Sequence, residues 1–300
     1  MKATPGMILR AIMLVGITFA QAQKPAQQKP APDKTKVPEL PPAELHKINA
    51  AVPARASAKP QKTRRILVFW RCEGFFHGSG IAGGNKAIEL MGQKTGAYTA
   101  DFSRDYEVFE PANLQKYDAV VLNNTTQLKL SSTQQEALLA FVRGGKGIVG
   151  IHAATDNFYD WPEGAKMLGG LFAGHPWGAG GTWAFKLDEP DHPLTRAFAG
   201  KGFRLKDEIY QFKDPYTRAD RRVLVSLDLS DEATAKVKPK SPRPDNDYAV
   251  AWIKKEGNGR VFYCSLGHAA NVFQEAAIVR FYLDGIQYAL GDLPADDSPK

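Results

Sequence analysis

A histidine follows a short apolar segment at the point where a turn of small residues begins. The segment Gly147–Ile151 is typical of a buried strand, and it runs into His152, Ala153 and Ala154. A strand that breaks into such a turn presents its next side chain at the carboxyl end of an α/β sheet. Where hydrolases place a serine or cysteine nucleophile in a Gly-x-Ser-x-Gly-type pattern, this chain has an imidazole. The pattern therefore favours proton transfer or metal binding by His152.

Further histidines lie in predicted loops. From residue 64 onward the chain has five: His77, His152, His175, His192 and His268. Because His77, His152 and His268 directly follow predicted strands, they are expected to converge at one edge of a parallel sheet, with Glu208 as the best acidic partner. Three imidazoles and a carboxylate form a common divalent-metal site, typically for zinc. Without a metal, His152 and Glu208 would serve as general acid and base.

Other polar and aromatic side chains are candidates for substrate contacts. His175 stands between Gly174 and Pro176, where it could contact a substrate or fix its loop by a hydrogen bond. Trp161, Trp177 and Trp183 are close together in sequence; aromatic faces stack on sugar rings, and core packing explains them equally well. His192, between Asp191 and Pro193, is typical of a turn.

Strand and helix patterns alternate along the first half of the folded region. Predicted strands cover residues 65–70, 98–103, 117–122 and 147–151. Predicted helices cover residues 85–94, a segment that opens with the capping residues 131–135, and residues 272–290. A hairpin is predicted to join 248–253 to 260–266. This order is typical of a doubly wound α/β fold with a parallel sheet.

The amino-terminal region differs in composition from the rest of the chain. Basic residues precede the apolar run 11–20, and a small-x-small cleavage pattern follows at Ala20-Gln21-Ala22. This predicts a secretory signal peptide over residues 1–22, with a membrane anchor as the alternative. Residues 23–63 are rich in Pro, Ala, Lys and Gln and are expected to form a disordered tether. The mature protein is thus expected in the periplasm or outside the cell, without a transmembrane segment.

The distribution of charge argues against nucleic-acid binding. The whole chain carries a net charge of +7, but the basic residues concentrate before residue 66, and residues 66–300 carry −2. A nucleic-acid-binding domain needs a basic face on its folded part. Two cysteines, Cys72 and Cys264, could form a disulfide if their strands are neighbours, or could be two buried thiols.

Several motifs resemble the trehalose-utilisation (ThuA-like) family. They occur in order at residues 150–156, 169–172, 175–177, 191–193, 207–210 and 257–268. The resemblance covers about residues 64–291 and leaves 292–300 as a tail. It implies a flavodoxin-like three-layer α/β sandwich with a mostly parallel sheet, similar to class I glutamine amidotransferases. It also implies a role in carbohydrate catabolism, on a disaccharide or a keto-sugar, and adds Asp156 to the substrate contacts expected at His175 and Trp177.

Two kinds of function remain open at this point. The first is a hydrolase, lyase or isomerase that acts on a sugar at the predicted histidine–glutamate site. The second is a non-catalytic sugar-binding domain. A glutaminase is excluded because amidotransferases carry a cysteine nucleophile at the position of His152. The exact substrate, the metal and the oligomeric state are left open.

Overall fold

The structure, a computed structural model, describes residues 1–3 and 32–300. The helices are α1 (Pro42–Ala51), α2 (Gly78–Thr95), α3 (Pro111–Leu114), α4 (Ser132–Arg143), α5 (Pro162–Leu168), α6 (Glu232–Ala235) and α7 (Ala276–Ala289). The strands are β1 (Arg65–Phe69), β2 (Thr99–Ser103), β3 (Ala119–Asn123), β4 (Gly147–Ile151), β5 (Leu171–Phe172), β6 (Thr182–Leu187), β7 (Phe203–Lys206), β8 (Phe212–Lys213), β9 (Arg222–Leu227), β10 (Ala249–Glu256) and β11 (Gly259–Cys264). Apart from residues 1–3, the expected signal peptide lies outside the described residues.

A single nine-stranded sheet, in the order β2-β1-β3-β4-β11-β10-β9-β6-β7, forms the centre of the fold. The pairings from β2 to β11 are parallel, and those from β11 to β7 are antiparallel. Seven of the nine strands therefore run in one direction, and β6 and β10 run against it. The prediction of an α/β fold with a mostly parallel sheet is confirmed, and the predicted hairpin is β10–β11.

Alternate residues of the central strands enter two separate cores. In β1, Ile66 and Val68 pack with residues of α1, α2 and α7, whereas Leu67 and Phe69 pack with residues of α3, α4 and α5. A sheet that is buried on both faces in this way reads as a continuous apolar run in the sequence. The helices consequently cover both faces, and the molecule has the three layers of a flavodoxin-like sandwich.

Local sequence predicts the start of one helix and fails to predict the start of another. For α4, Ser131 and Gln134 form the expected capping box, in which each side chain accepts a hydrogen bond from the other residue's backbone nitrogen. By contrast, α2 begins at Gly78, seven residues before the predicted start, in a glycine-rich turn that propensity disfavours. Tight packing explains this helix start, because a Cβ on Gly80 would lie 2.5 Å from the carbonyl oxygen of Gly267.

Residues 33–63 were expected to belong to a disordered tether, but they contain a helix and buried side chains. Helix α1 lies within this stretch, and its Ile48 is fully buried in the core that also contains residues of α2 and α7. Before it, Val37 packs against the small cluster of Trp70, Cys72, Phe76 and Ile81. The composition of the segment hides these contacts, since only a few apolar side chains make them.

The two cysteines do not form a disulfide. Cys72 and Cys264 are both free and buried, as in the second of the two alternatives. Cys264 ends β11, whereas Cys72 follows β1, and β3 and β4 lie between those two strands in the sheet. Among the described residues, no helix combines the length and hydrophobicity needed to cross a membrane.

Candidate functional site

His152 is held rigidly at the end of β4. Its backbone adopts a left-handed conformation with φ of +46°, which is uncommon for a residue other than glycine. Tyr263 donates a hydrogen bond from its hydroxyl to the His152 carbonyl oxygen at 2.7 Å. Nδ1 of the imidazole lies 2.6 Å from the carbonyl oxygen of Ser265, which can only accept. Nδ1 therefore carries the hydrogen, and Nε2 offers a lone pair in the neutral ring.

Two further imidazoles complete a triangle with His152. His77 follows β1 and His268 follows β11, and both are loop residues as expected. Ring centroids are 4.9 Å apart for His77 and His152, 5.0 Å for His77 and His268, and 5.3 Å for His152 and His268. The carboxyl ends of strands that neighbour or nearly neighbour each other thus bring together side chains far apart in the sequence.

Glu208 reaches this triangle from the segment that follows β7. Its neighbour Asp207 accepts hydrogen bonds from the backbone nitrogens of Gly267 at 2.7 Å and His268 at 3.1 Å. These bonds attach the segment to the loop after β11. Oε1 of Glu208 then lies 3.3 Å from Nδ1 of His268 and 3.7 Å from Nε2 of His152.

The four side chains together could hold a metal ion. One donor atom from each of His77, His152, Glu208 and His268 lies within 4.8 Å of the other three. Nδ1 of His77 is buried and makes no hydrogen bond to any part of the chain that the structure describes. A buried nitrogen without a partner is an available metal donor, and nitrogen with carboxylate oxygen suits a divalent ion of the zinc type.

Burial and mutual repulsion keep two of the imidazoles neutral. Burial, with the nearby charges of His268 and His175, lowers the pKa of His77 to about 3. Burial and the charge of His77 also lower the pKa of His152 well below its ordinary value. For His268, burial favours the neutral ring, but the hydrogen bond to Glu208 outweighs it and raises the pKa. The lone pairs of His77 and His152 are therefore available at neutral pH.

A cleft of about 550 Å³ opens above this cluster. Its walls include His77, Glu208 and His268 together with His175 and Asp156, which were expected to contact substrate. Nδ1 of His175 lies 3.3 Å from Oε2 of Glu208, and the His175 side chain is 52% exposed. The volume is within the usual range for small-molecule sites. In contrast, the fully buried His152 does not line the cleft, so its position favours the metal-ligand role over proton exchange with a substrate.

Trp177 does not line the cleft, contrary to the expectation of a substrate contact. Its ring is only 1% exposed, packs edge-on against Tyr248 and donates a hydrogen bond to the carbonyl oxygen of Thr234. The alternative of core packing explains this tryptophan. Likewise, Nδ1 of His192 accepts a hydrogen bond from the backbone nitrogen of Leu194, as expected for a turn residue.

Several residues that line the cleft were not predicted. They are Phe75, Gln127, Tyr159, Phe172 and Tyr210. Phe75 is two residues before His77, and Tyr210 is two residues after Glu208. Their closeness in sequence to predicted site residues could have identified them. Gln127 and Tyr159 carry no such signal, because the turns that bring them to the cleft are irregular.

Comparisons with known proteins identify the family of this chain. The sequence profile described as "ThuA: Trehalose utilisation" matches residues 65–289. The chain belongs to the ThuA family. A solved ThuA-like protein from Bacteroides uniformis ATCC 8492 is 20% identical, with a TM-score of 0.64 over 78% of this chain and 94% of that one. Another, from Parabacteroides merdae ATCC 43184, is 18% identical, with a TM-score of 0.58 over 78% and 93%.

These results confirm the resemblance. At such identities, the two solved structures establish that the fold is shared. A comparison with curated protein sequences finds no match. Membership of the ThuA family points to a role in carbohydrate catabolism, and every residue of the His77, His152, Glu208 and His268 cluster lies within the matched region.

Proposed function

We propose that this ThuA protein is a metal-dependent enzyme of carbohydrate catabolism that acts on a disaccharide or a keto-sugar. The observation that carries the proposal is the convergence of three histidines and Glu208, with donor atoms within 4.8 Å, beside a cleft of about 550 Å³. A divalent ion held there would act as a Lewis acid on an oxygen of the sugar. The reaction class is hydrolysis, elimination or isomerisation.

The two oxygens of Glu208 have different partners in this arrangement. Oε1 faces His152 and His268, where it would complete the set of metal ligands, whereas Oε2 faces Nδ1 of His175. A substrate in the cleft can reach the half-exposed His175, and the Glu208 carboxylate orients its ring. His175 is therefore the group proposed to exchange a proton with the sugar.

Metal analysis of the purified protein, combined with turnover assays on trehalose and 3-ketotrehalose, tests the proposal. We expect His152→Ala to lose both bound metal and turnover, because it removes a lone pair at the centre of the cluster. His192→Ala is a matched control, since His192 is also buried but lies in a turn outside the cleft. Full metal content and full activity in His152→Ala would contradict the proposal.

A sugar-binding domain without catalysis is the second candidate. It is favoured by Phe75, which is 65% exposed on the wall of the cleft, where an aromatic face could stack on a sugar ring. This candidate predicts sugar affinity without turnover, and unchanged affinity in Glu208→Gln. The enzyme proposal predicts that Glu208→Gln abolishes turnover.

Export is a further part of the proposal. It is supported by the basic residues Lys2 and Arg10, the apolar run 11–20 and the cleavage pattern at residues 20–22. Fractionation of expressing cells and amino-terminal sequencing test it. We expect the mature chain to begin at Gln23 in the periplasmic or secreted fraction; an intact Met1 in the cytoplasm would contradict export.

A further inference from the structure

Three of four neighbouring strands at the centre of the sheet lead to a histidine of the cluster, and the fourth does not. In the order β1-β3-β4-β11, His77 follows β1, His152 follows β4 and His268 follows β11. The strand between β1 and β4 is β3, and the residue directly after it is Asn124. This asparagine is fully buried, and its φ of +55° lies in the left-handed region, which asparagine adopts more readily than most residues.

Asn124 contacts the residues that immediately precede two of the histidines. Its backbone nitrogen donates a hydrogen bond to the carbonyl oxygen of Ile151, the residue before His152, at 3.2 Å. Its side-chain Nδ2 donates to the carbonyl oxygen of Gly267, the residue before His268, also at 3.2 Å. One residue therefore connects the ends of β4 and β11, through its backbone on one side and its side chain on the other.

The loop that carries His77 is held by the same turn. The carbonyl oxygen of Asn124 accepts a hydrogen bond from Sγ of Cys72 at 3.1 Å. Two residues further along, the hydroxyl of Thr126 donates to the carbonyl oxygen of Phe75 at 2.9 Å. The loop is therefore fixed at two positions before it reaches His77. The turn after β3 consequently contacts all three segments that carry the histidines, although it is not part of the cluster.

The orientation of the Asn124 amide is determined by its neighbours. Nδ2 lies 3.1 Å from Oδ1 of Asn123 and 3.2 Å from the carbonyl oxygen of Gly267, which can only accept. The opposite orientation would place an amide oxygen against both of these acceptors. Asn123 is itself held, because its Nδ2 donates to the carbonyl oxygen of Ile81 in α2 at 3.1 Å. The amide of Asn124 thus connects the loop of His268 to a helix on one face of the sheet.

The Asn124 side chain also carries an oxygen without a partner. Its Oδ1 is buried and makes no hydrogen bond within residues 1–3 and 32–300. A buried amide whose acceptor is unpaired is costly, and an apolar side chain of similar size would avoid that cost. Packing therefore does not explain an asparagine at this position. The hydrogen bond from Nδ2 to Gly267 and the left-handed backbone do explain it.

We propose that Asn124 is the positioning residue of the cluster and fixes the loops of His77, His152 and His268 relative to one another. It thereby sets the distances between the imidazole nitrogens before an ion binds. A residue that orients ligands in this way contributes to metal affinity without touching the metal. The inference rests on the proposed function only for the metal ion, because the placement of the imidazoles is a property of the chain alone.

Two variants of Asn124 test the proposal. Asn124→Gly keeps the left-handed backbone and removes only the side-chain amide. Asn124→Asp keeps the shape of the side chain but places an oxygen, in place of Nδ2, against the carbonyl oxygen of Gly267. Asn246→Gly is the matched control, since Asn246 also has a left-handed backbone, with φ of +51°, but is exposed and does not line the cleft. Ile48→Ala controls for a general loss of stability, because Ile48 is fully buried in α1.

The first measurement uses the metal-free protein. The NMR resonances of the histidine rings report the surroundings of each imidazole at a single pH. We expect both Asn124 variants to shift the resonances of His152 and His268, because the bond that fixes the His268 loop is lost. The resonances of His192 should stay in place, since His192 lies in a turn outside the cleft. Asn246→Gly should leave all of these resonances unchanged.

The second measurement uses cobalt(II) as the probe. We expect the Asn124 variants to bind it about 10–100-fold more weakly than the unaltered protein, as is typical when a residue that orients ligands is changed. The visible absorption bands of the bound ion should also change, because they depend on the geometry of its ligands. Asn246→Gly should match the unaltered protein in both affinity and spectrum.

The NMR comparison separates this inference from the proposed function. If the unaltered protein binds no metal, the proposed function fails, whereas shifted imidazole resonances in the Asn124 variants still support the positioning role. Unchanged His152 and His268 resonances in Asn124→Gly would overturn the inference, and this variant decides the matter if Asn124→Asp does not fold. Equal shifts in Ile48→Ala would also overturn it, since they would show that the imidazoles respond to any loss of stability.

Discussion

Nε2 of His152 and Nδ1 of His268 lie 3.3 Å apart, although 116 positions separate the residues in the sequence. Nε2 of His152 carries the lone pair, because Nδ1 donates to the carbonyl oxygen of Ser265. Two arrangements satisfy this contact: His268 donates a hydrogen from Nδ1, or both nitrogens face the same cation. Oε1 of Glu208, 3.3 Å from Nδ1 of His268, would fit either one.

The position of His268 depends on Asp207, and this leads to the first prediction. Asp207 accepts backbone hydrogen bonds from Gly267 and His268 through different carboxylate oxygens. Asp207→Asn replaces one acceptor oxygen with an NH₂ group, so one of these bonds is lost and the His268 loop shifts. We expect metal affinity to fall by about 10–100-fold, as is typical when a group that orients a ligand is changed.

Competition with a fluorescent zinc chelator measures that affinity. Asp105→Asn is the control, because Asp105 is exposed and its carboxylate makes no hydrogen bond to a described residue. Unchanged zinc affinity in Asp207→Asn, with a normal unfolding transition, would show that the loop is held independently of this carboxylate.

The sequence predicts those residues of the site that directly follow strands of the parallel sheet. His77, His152 and His268 follow strands of the parallel part of the sheet, and a general rule brings such positions together. Glu208 follows β7, at the far edge of the sheet, and its segment is joined to the loop after β11 by the bonds of Asp207 and by a hydrogen bond from the backbone nitrogen of Tyr210 to Oγ of Ser265. Its residue type made Glu208 a candidate ligand, but no pattern in the neighbouring sequence indicates that this segment lies beside the histidines.

The features that the sequence did not predict lie mostly in irregular segments, where the apolar residues follow neither a helical nor a strand period. The stretch around Trp177 has neither helical nor strand repeat, so the sequence does not indicate which way the indole faces. Gln127 adopts positive φ, a conformation that its residue type disfavours, and its side chain forms part of the cleft wall. Helix α1 was missed for another reason, because its contacts with the domain come from very few side chains, chiefly Ile48.

The buried position of Trp177 gives the second prediction. Trp177→Ala removes a fully packed indole and its hydrogen bond to Thr234, so we expect the free energy of unfolding to fall by about 3–5 kcal/mol. Urea denaturation measures this change. Tyr159→Ala is the contrasting variant, since Tyr159 is partly exposed on the wall of the cleft and should alter sugar affinity more than stability. A Trp177→Ala protein of normal stability that fails to bind sugar would restore the substrate-contact role.

The amino-terminal helix gives the third prediction. Ile48→Ala is expected to lower the free energy of unfolding by about 2–5 kcal/mol, the usual cost of truncating a fully buried aliphatic side chain. Lys47→Ala, on the exposed side of α1, should change it little. Urea denaturation of both variants compares them directly. Equal stabilities would mean that α1 contributes nothing to the fold and that residues 33–63 behave as a tether after all.

Asp118 gives the fourth prediction, on the dependence of stability on pH. Burial opposes its ionisation, but hydrogen bonds from Lys62, Lys146 and the backbone of Arg65 outweigh burial and lower the pKa from 3.8 to about 2. A carboxyl group whose pKa is lower in the folded state stabilises the protein above its unfolded pKa and loses this contribution as the pH falls through the folded pKa. Asp118→Asn should therefore be less stable than the unaltered protein at about pH 5, with the difference shrinking toward about pH 2. Urea denaturation across this range, with Asp105→Asn as the control, measures the difference, and a gap that stays constant with pH would show that the ion pairs of Asp118 are not its source.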